Sequence, residues 1–436
     1  MKFKVDTSEL NEALSVVSHA LSARSTLPIL EGILIESGEK GLNMTCTDGA
    51  MTITTTIPAE IGEEGSAVMP GRLFMEVARK QTAGELSVSI GVNSIATIRC
   101  GGSRTTLSVK ASNQFPRLPQ IEADQRVTLP QALLRDMITK TSFAVSTEEA
   151  RKILTGCLLE IENGEARLVA LDGYRMAVVM APIEDSTLSL RAVIPGKLLQ
   201  EAAKIINGND KDEVQLTFSK TQLLIEFSGV RVFSTLLEGE FISYRNIIPA
   251  ETKYVARVID RGQMSLCVER ASLMAREGKT NLIKLHISPD MMIITSNAEM
   301  GDVYEEVPIE AEGGELDIAF NVRYISDVLR AIYDETFVMK FNSPVSPCII
   351  TSESGAGYTY MVLPVRVQVE KGNGPTGTSA LSERIQRLES DEDTREERIV
   401  YVNASKREWL PPVGTAVTLH CFGRHIRAVE AETAAV

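Results

Sequence analysis

The chain has 436 residues, 44% of them hydrophobic and 24% charged, with a formal net charge of −13. At roughly 150 residues per domain this length predicts about three domains, each able to bury its own core. The acidity excludes a protein that coats nucleic acid with its whole surface, though not one with a single basic face. One Trp and 5% aromatic residues leave few platforms for stacking on bases. Six scattered cysteines, none in a Cys-x-x-Cys pair, read as reduced, mostly buried thiols. The opening "MKFKVDTSEL" has no apolar signal-peptide core, and no apolar run approaches the ~18 residues of a membrane span. The composition therefore reads as a soluble, cytoplasmic protein.

In chain order, the first predicted pair of elements is "FKVDTSELNEALSVVSHAL", a short alternating strand followed by a helical pattern. It returns as "RVTLPQALLRDMITKTSFAV" and again as "ARVIDRGQMSLCVERASLM". The next is "GLNMTCTDGAMTITTTIPA", two alternating strands about an Asp-Gly turn. Its counterparts are "EARLVALDGYRMAVVMAPI" and "MMIITSNAEMGDVYEEVPI". Then "MPGRLFMEVARK" runs from a strand into a helix, and returns as "IPGKLLQEAAKI" and "FNVRYISDVLRA". From Arg72 to Lys197 is 125 residues, and from Lys197 to Arg323 is 126. Such a period is too long for a solenoid and marks whole duplicated domains. Each has two helices among many antiparallel strands, which predicts an α+β fold with the helices packed on the sheet. The expected boundaries are 1–119, 125–249 and 254–367, followed by a tail at 368–436.

On a helical wheel at ~100° per residue, the third motif buries positions one, two, five and six after its first basic residue. In the first copy these are Leu73, Phe74, Val77 and Ala78. A second basic residue returns seven positions on, giving the pairs Arg72/Arg79, Lys197/Lys204 and Arg323/Arg330 on the exposed face. Glu76, Glu201 and Asp327 sit beside these pairs and moderate them. Three such helices on a common side would form a positive stripe suited to a phosphate backbone contacted without base readout.

Five stretches in order carry a family resemblance: "RSTLPIL", "LDGYRMA", "GEFISYRNIIP", "FNVRYISDVL" and "YMVLPVRV". With the threefold repeat, they make residues 1 to about 367 similar to the bacterial DNA polymerase III β subunit, the sliding clamp. The resemblance implies a DNA clamp fold: a head-to-tail homodimer closed into a ring of six like domains, threaded by duplex DNA. It implies a processivity factor and no enzyme, with no cofactor and no membrane. The implied partners are duplex DNA bound without sequence specificity, the clamp loader, and replicative and repair polymerases held through linear motifs. DNA-facing residues would be Arg24, Arg72, Arg79, Lys80, Lys197 and Lys204.

The same resemblance implies a peptide pocket between the second and third domains. Its walls from the second would be Leu154, Gly173, Arg175, Met176 and Ile247. The third would supply Asn321, Tyr324, Val345 and the closing run Met361, Val362, Leu363, Pro364, Val365 and Arg366. Leu171 and Tyr174 stand where the family commonly has Thr and His, and Ile242 and Asn246 replace a common Pro and Arg, so specificity is expected to differ. The ring interface would set Arg104 and Leu107 against Leu273, Met274, Glu305 and Glu306 of a second copy.

The tail does not fit the family. "GNGPTG" formally matches Gly-x-Gly-x-x-Gly, but Pro375 interrupts it and no Lys follows, so it reads as a flexible linker. The charged run 383–398 reads as a short helix and 399–429 as a few strands. His420, Cys421 and His425 lack a completing cysteine pair for a metal site. The alternative function is a divergent clamp-fold scaffold that binds partner peptides without encircling DNA; the basic helix faces argue against it. An enzyme finds little support in four histidines, none near a nucleophile–base pair in sequence.

Overall fold

The computed structural model describes residues 1–22, 25–82, 84–118, 121–209, 211–278, 280–366 and, as backbone, 417–422 and 425–431. The chain divides into two bodies, Met1–Gln368 and Val369–Val436. The first contains three copies of one α+β arrangement.

The first repeat comprises β1 (Lys2–Asp6), α1 (Thr7–Val17), β2 (Gly32–Gly38), β3 (Gly41–Thr47), β4 (Met51–Ile57), β5 (Glu60–Glu63), β6 (Ser66–Pro70), α2 (Gly71–Arg79), β7 (Glu85–Ile90), β8 (Ile95–Cys100) and β9 (Ser103–Ser108). The second comprises β10 (Gln125–Pro130), α3 (Gln131–Thr141), β11 (Gly156–Glu162), β12 (Glu165–Leu171), β13 (Arg175–Pro182), β14 (Leu190–Pro195), α4 (Gly196–Ile205), β15 (Glu213–Phe218), β16 (Gln222–Phe227) and β17 (Val230–Thr235). The third comprises β18 (Tyr254–Val258), α5 (Arg261–Glu277), β19 (Leu282–Ile287), β20 (Met291–Ala298), β21 (Gly301–Glu312), β22 (Leu316–Asn321), α6 (Val322–Ala331), β23 (Phe337–Phe341), β24 (Cys348–Thr351) and β25 (Tyr358–Val362).

Local sequence explains the sharp passages from strand to helix. Asp6, Asp260 and Asn321 cap α1, α5 and α6 by accepting backbone N–H bonds in the first turn. At α2, α3 and α4 a proline occupies the cap instead, its ring fixing φ between −52° and −64°. Gly71 and Gly196 follow two of these prolines because the backbone is too close for a side chain. A Cβ would lie 2.8 Å from the Glu31 carbonyl oxygen in one case and 2.9 Å from that of Thr155 in the other.

The two helices of each repeat pack on each other and on the sheet, burying Leu10, Leu14, Phe74 and Ala78 in the first repeat. In the second they bury Leu134, Ile138, Leu198 and Leu199, and in the third Met264, Val268, Ile325 and Leu329. Cys46, Cys100, Cys157, Cys267 and Cys348 are all buried and unbridged, as expected of the scattered thiols.

The sheets run through the joints between repeats. One has the order β10-β15-β16-β17-β4-β3-β2-β6, and another runs β14-β11-β12-β13-β25-β24-β23-β18-β21-β20-β19-β22. Antiparallel pairing of β17 with β4, from Val230↔Thr55 to Ser234↔Met51, makes the first joint. Pairing of β13 with β25, from Arg175↔Val362 to Val179↔Tyr358, makes the second. The remaining sheet, β5-β1-β7-β8-β9, ends on β9 without a neighbour strand among the described residues.

The second body contributes the antiparallel pair β26 (Val417–Phe422) and β27 (His425–Ala431). Strands were expected there. The glycine-rich stretch 372–377 and the charged run 383–398 lie outside the described residues.

Candidate functional site

The basic residues of the repeated helix stand on its exposed face, as the wheel predicts. Arg72, Arg79, Lys80, Lys197, Lys204, Arg323 and Arg330 are all exposed, and Phe74, Ala78, Leu199, Ala202, Ile325 and Val328 are buried beneath them. Acidic neighbours moderate two of the three pairs. Lys204 donates to Glu201 at 2.8 Å, while Arg323 and Arg330 approach Asp327 at 4.0 and 3.4 Å. Arg24 lies outside the described residues.

Lys197 has a second role that sequence alone does not reveal. Its Nζ donates to Asp48 Oδ2 across the first joint at 2.6 Å. Burial pushes the Asp48 carboxyl up, but the bonds from Lys197 and from the backbone N–H groups of Met51 and Ala50 outweigh it and hold it below its ordinary value. Beside it, His19 Nδ1 donates to Glu201 Oε2 at 2.6 Å, again joining first and second repeats. The only sequence signal for this joint was the repeated Asp-Gly turn, read there as a turn alone.

The second joint buries its bridging cation, where the first leaves Lys197 exposed. Asp172 closes its turn by accepting from the N–H groups of Tyr174 and Arg175, both at 2.9 Å, with Gly173 at a φ of +94°. Arg175 is buried. It donates to Asp172 at 3.1 Å, to Asp327 of α6 at 2.6 Å and to the Phe143 carbonyl at 2.7 Å. Its guanidinium lies 4.8 Å from the ring centroid of Tyr324 and 5.3 Å from that of Phe143. Arg175 is thus a strut between repeats, with its donors engaged inside the chain.

Beside that strut several of the predicted pocket residues come together. Leu154, Met176 and Met361 share one apolar cluster with Phe241, Tyr244 and Ile349. The closing segment is stitched to both sides: Leu363 N–H donates to the Tyr174 carbonyl at 2.9 Å, and Val365 N–H to the Ala319 carbonyl at 2.8 Å. Tyr174 stacks on Tyr324 with ring centroids 6.2 Å apart. Tyr174, Ile242, Ile247, Val345 and Val365 remain exposed large hydrophobics. Gly173, Asn246 and Arg366 are also exposed, Asn321, Leu363 and Pro364 half-buried, and Val362 fully buried. The result is an apolar surface with few polar groups, open at the joint of two repeats, the setting in which short linear peptides are held.

The predicted interface residues lie at the two free ends of the first body. In the first repeat Arg104 is exposed, but Leu107 is buried in its own repeat, so only its backbone edge is available. A cleft of about 560 Å³ lies in the same repeat, lined in part by Arg72, Leu73, Arg79, Ser108 and Lys110. In the third repeat Leu273 and Glu306 are exposed, Met274 and Glu305 half-buried. Arg270 donates twice to Glu305, each at 2.6 Å, and these bonds hold the Glu305 carboxyl below its ordinary value. No helix among the described residues is long and apolar enough to cross a membrane.

The comparisons agree with this geometry repeat by repeat. The model of the DNA polymerase III β subunit N-terminal domain matches residues 1–119, that of its central domain 128–242, and that of its C-terminal domain 245–366. The β sliding clamp of Staphylococcus aureus is 35% identical over 368 residues, covering 82% of this chain and 96% of that one. That of Staphylococcus epidermidis is 34% identical over 376 residues, covering 84% and 99%. Among solved structures, the Bacillus subtilis polymerase sliding clamp superposes with a TM-score of 0.80 at 32% identity, covering 84% of this chain and all of that one. A Pseudomonas aeruginosa sliding clamp bound to griselimycin gives 0.79 at 26%, with the same coverage. The chain therefore belongs to the bacterial DNA polymerase III β subunit family, the β sliding clamps, which are non-catalytic.

Proposed function

We propose that two copies of this chain close head to tail into a ring around duplex DNA and tether polymerases through the apolar surface at the second joint. The observation that carries this is the repeated construction of the joints, which leaves one complementary pair of edges unused. In each internal joint the last strand of one half-repeat, β17 or β25, pairs with the strand after the repeated turn, β4 or β13. Among the described residues, their counterparts without a neighbour from another repeat are β9 at one end and the 301–308 part of β21 at the other.

The register of this third joint follows by superposing equivalent turns. Cys100↔Ser103 matches Phe227↔Val230, each closing a two-residue turn, and Asn297↔Asp302 matches Thr47↔Thr52. Arg231 faces Thr54 in the first joint, so Arg104 would face Tyr304 of the second copy, with Glu306 diagonal to it on the same face. Helix α3 touches α6 across the second joint, so α5 would meet α2 of the second copy. The exposed Leu273 and Leu73, 55% and 49% accessible, would be covered there.

The exposed basic faces of α2, α4 and α6 would then line one hole, while the net charge of −13 would repel DNA elsewhere. The clamp loader and the replicative and repair polymerases are the partners this surface would serve, in the cytoplasm of a bacterium. Solution mass tests the assembly: the expected species is twice 47.6 kDa. Arg104→Glu and Glu306→Arg should each shift it toward monomer, and the two together should restore the dimer. A monomer at every concentration would overturn the ring.

A further inference from the structure

Beneath the segment that follows the second repeat lies a buried carboxylate that none of the roles above uses. Glu160, on β11, is 8% exposed. Its Oε2 accepts from the Tyr244 hydroxyl at 2.7 Å and from Arg245 Nη2 at 3.0 Å, and Arg191 Nη1 lies 3.6 Å from Oε1. A carboxylate this deep is tolerable only because such partners compensate it. Tyr244 is itself buried, in the apolar cluster that contains Leu154, Met176 and Met361. Burial, and then the bond to Glu160, raise the Tyr244 hydroxyl to about 12, so its proton stays in that bond at neutral pH. On either side of this anchor the chain carries Ile242 and Ile247, 40% and 39% exposed, on a segment whose only regular structure is one 3₁₀ turn, Tyr244–Asn246.

The three repeats supply an internal control. Aligned through Gly32↔Pro70, Gly156↔Pro195 and Leu282↔Asn321, the position of Glu160 holds Glu36 in the first repeat and His286 in the third. Glu36 is half-buried, and His286 bonds Asp317 on the neighbouring strand of its own sheet. Of the three, the repeat beside the apolar surface is the one that buries its ionisable group and ties it to the segment following its last strand.

We propose that Glu160 is a positioning residue for partner binding. By holding Tyr244 and Arg245 it fixes Ile242 and Ile247 as a preformed wall for an apolar peptide segment, which lowers the ordering cost of binding. This rests on the peptide-pocket reading above, and the test separates the two. Full-length protein is titrated with a fluorescent clamp-binding peptide from a replicative polymerase. If the wild type does not bind it, or Val345→Arg leaves binding unchanged, the pocket reading fails. If both controls behave, Glu160→Gln and Tyr244→Phe should each weaken binding about tenfold, the scale of one hydrogen bond to a charged group, with the dimer intact.

Adding Ile247→Ala to Glu160→Gln should cost little beyond either change alone, because both act on one wall. Wild-type affinity in both Glu160→Gln and Tyr244→Phe, or full additivity with Ile247→Ala, would overturn the proposal. Should Glu160→Gln fail to fold, Tyr244→Phe, which removes a single hydroxyl, carries the same expectation and the same refutation.

Discussion

Arg175 shows what one residue can and cannot reveal. The family resemblance places it among peptide-contacting residues, yet its donors are engaged by Asp172, Asp327 and the Phe143 carbonyl. Two of those partners lie 152 and 32 residues away in sequence, so neither spacing nor periodicity could have named them. Arg175→Ala would leave two carboxylates without their shared cation, and the expected loss is about 3–5 kcal/mol of stability. Arg175→Lys should recover only part of it, because one ammonium cannot reproduce the planar fork. Urea denaturation measures both, and an unchanged midpoint for Arg175→Ala would mean the joint is held by other interactions. At the first joint the depressed carboxyl of Asp48 gives a pH signature. A lowered folded pKa contributes stability that is present above the ordinary value of 3.8 and lost as pH falls through the depressed one. Asp48→Asn should remove that part, so its stability should fall less steeply than the wild type's between about pH 5 and pH 2.

Elements were more legible than residues, because a helix declares its apolar face by spacing alone. Phe74, Ala78, Leu199 and Val328 are buried as the wheel requires. Leu73 is the exception, 49% exposed although its counterpart Leu198 is 2% exposed. Periodicity marks a face as apolar but does not say whether the chain's own sheet or another surface covers it. The equivalent Tyr324 makes the same point, being half-buried beside the open apolar surface. The strand-and-turn repeat was read correctly, whereas the sequence carries no sign that the sheets continue through the joints, since strands paired across 175 to 187 residues leave no local mark. The basic faces invite a test that spares the joints. Lys197 also holds Asp48, so its reversal would confound two effects, but Arg79 and Lys80 form no ion pair among the described residues. Arg79→Glu with Lys80→Glu should weaken DNA binding and flatten its log–log salt dependence by about 0.9 for each phosphate no longer neutralised. Equal affinity and slope would remove these residues from the lining.

At the scale of the whole molecule the repeat governs assembly. Among the described residues, three copies with two like joints leave one unpaired edge at each end, and closure with a second copy would satisfy both at once. The repeat assigns the second body, Val369–Val436, no part in that closure, so a chain ending at Val367 should form the same dimer by solution mass. A monomeric truncation would assign the tail an assembly role that the repeat gives no reason to expect. A closed ring would make a demand on DNA that no ordinary binding surface makes, because retention would be topological instead of energetic. The direct measurement is therefore to load the protein on a nicked circular DNA and follow its retention before and after the circle is cut. Persistence on the circle and rapid loss from the linear form is the expected result; equal retention on both would contradict encirclement.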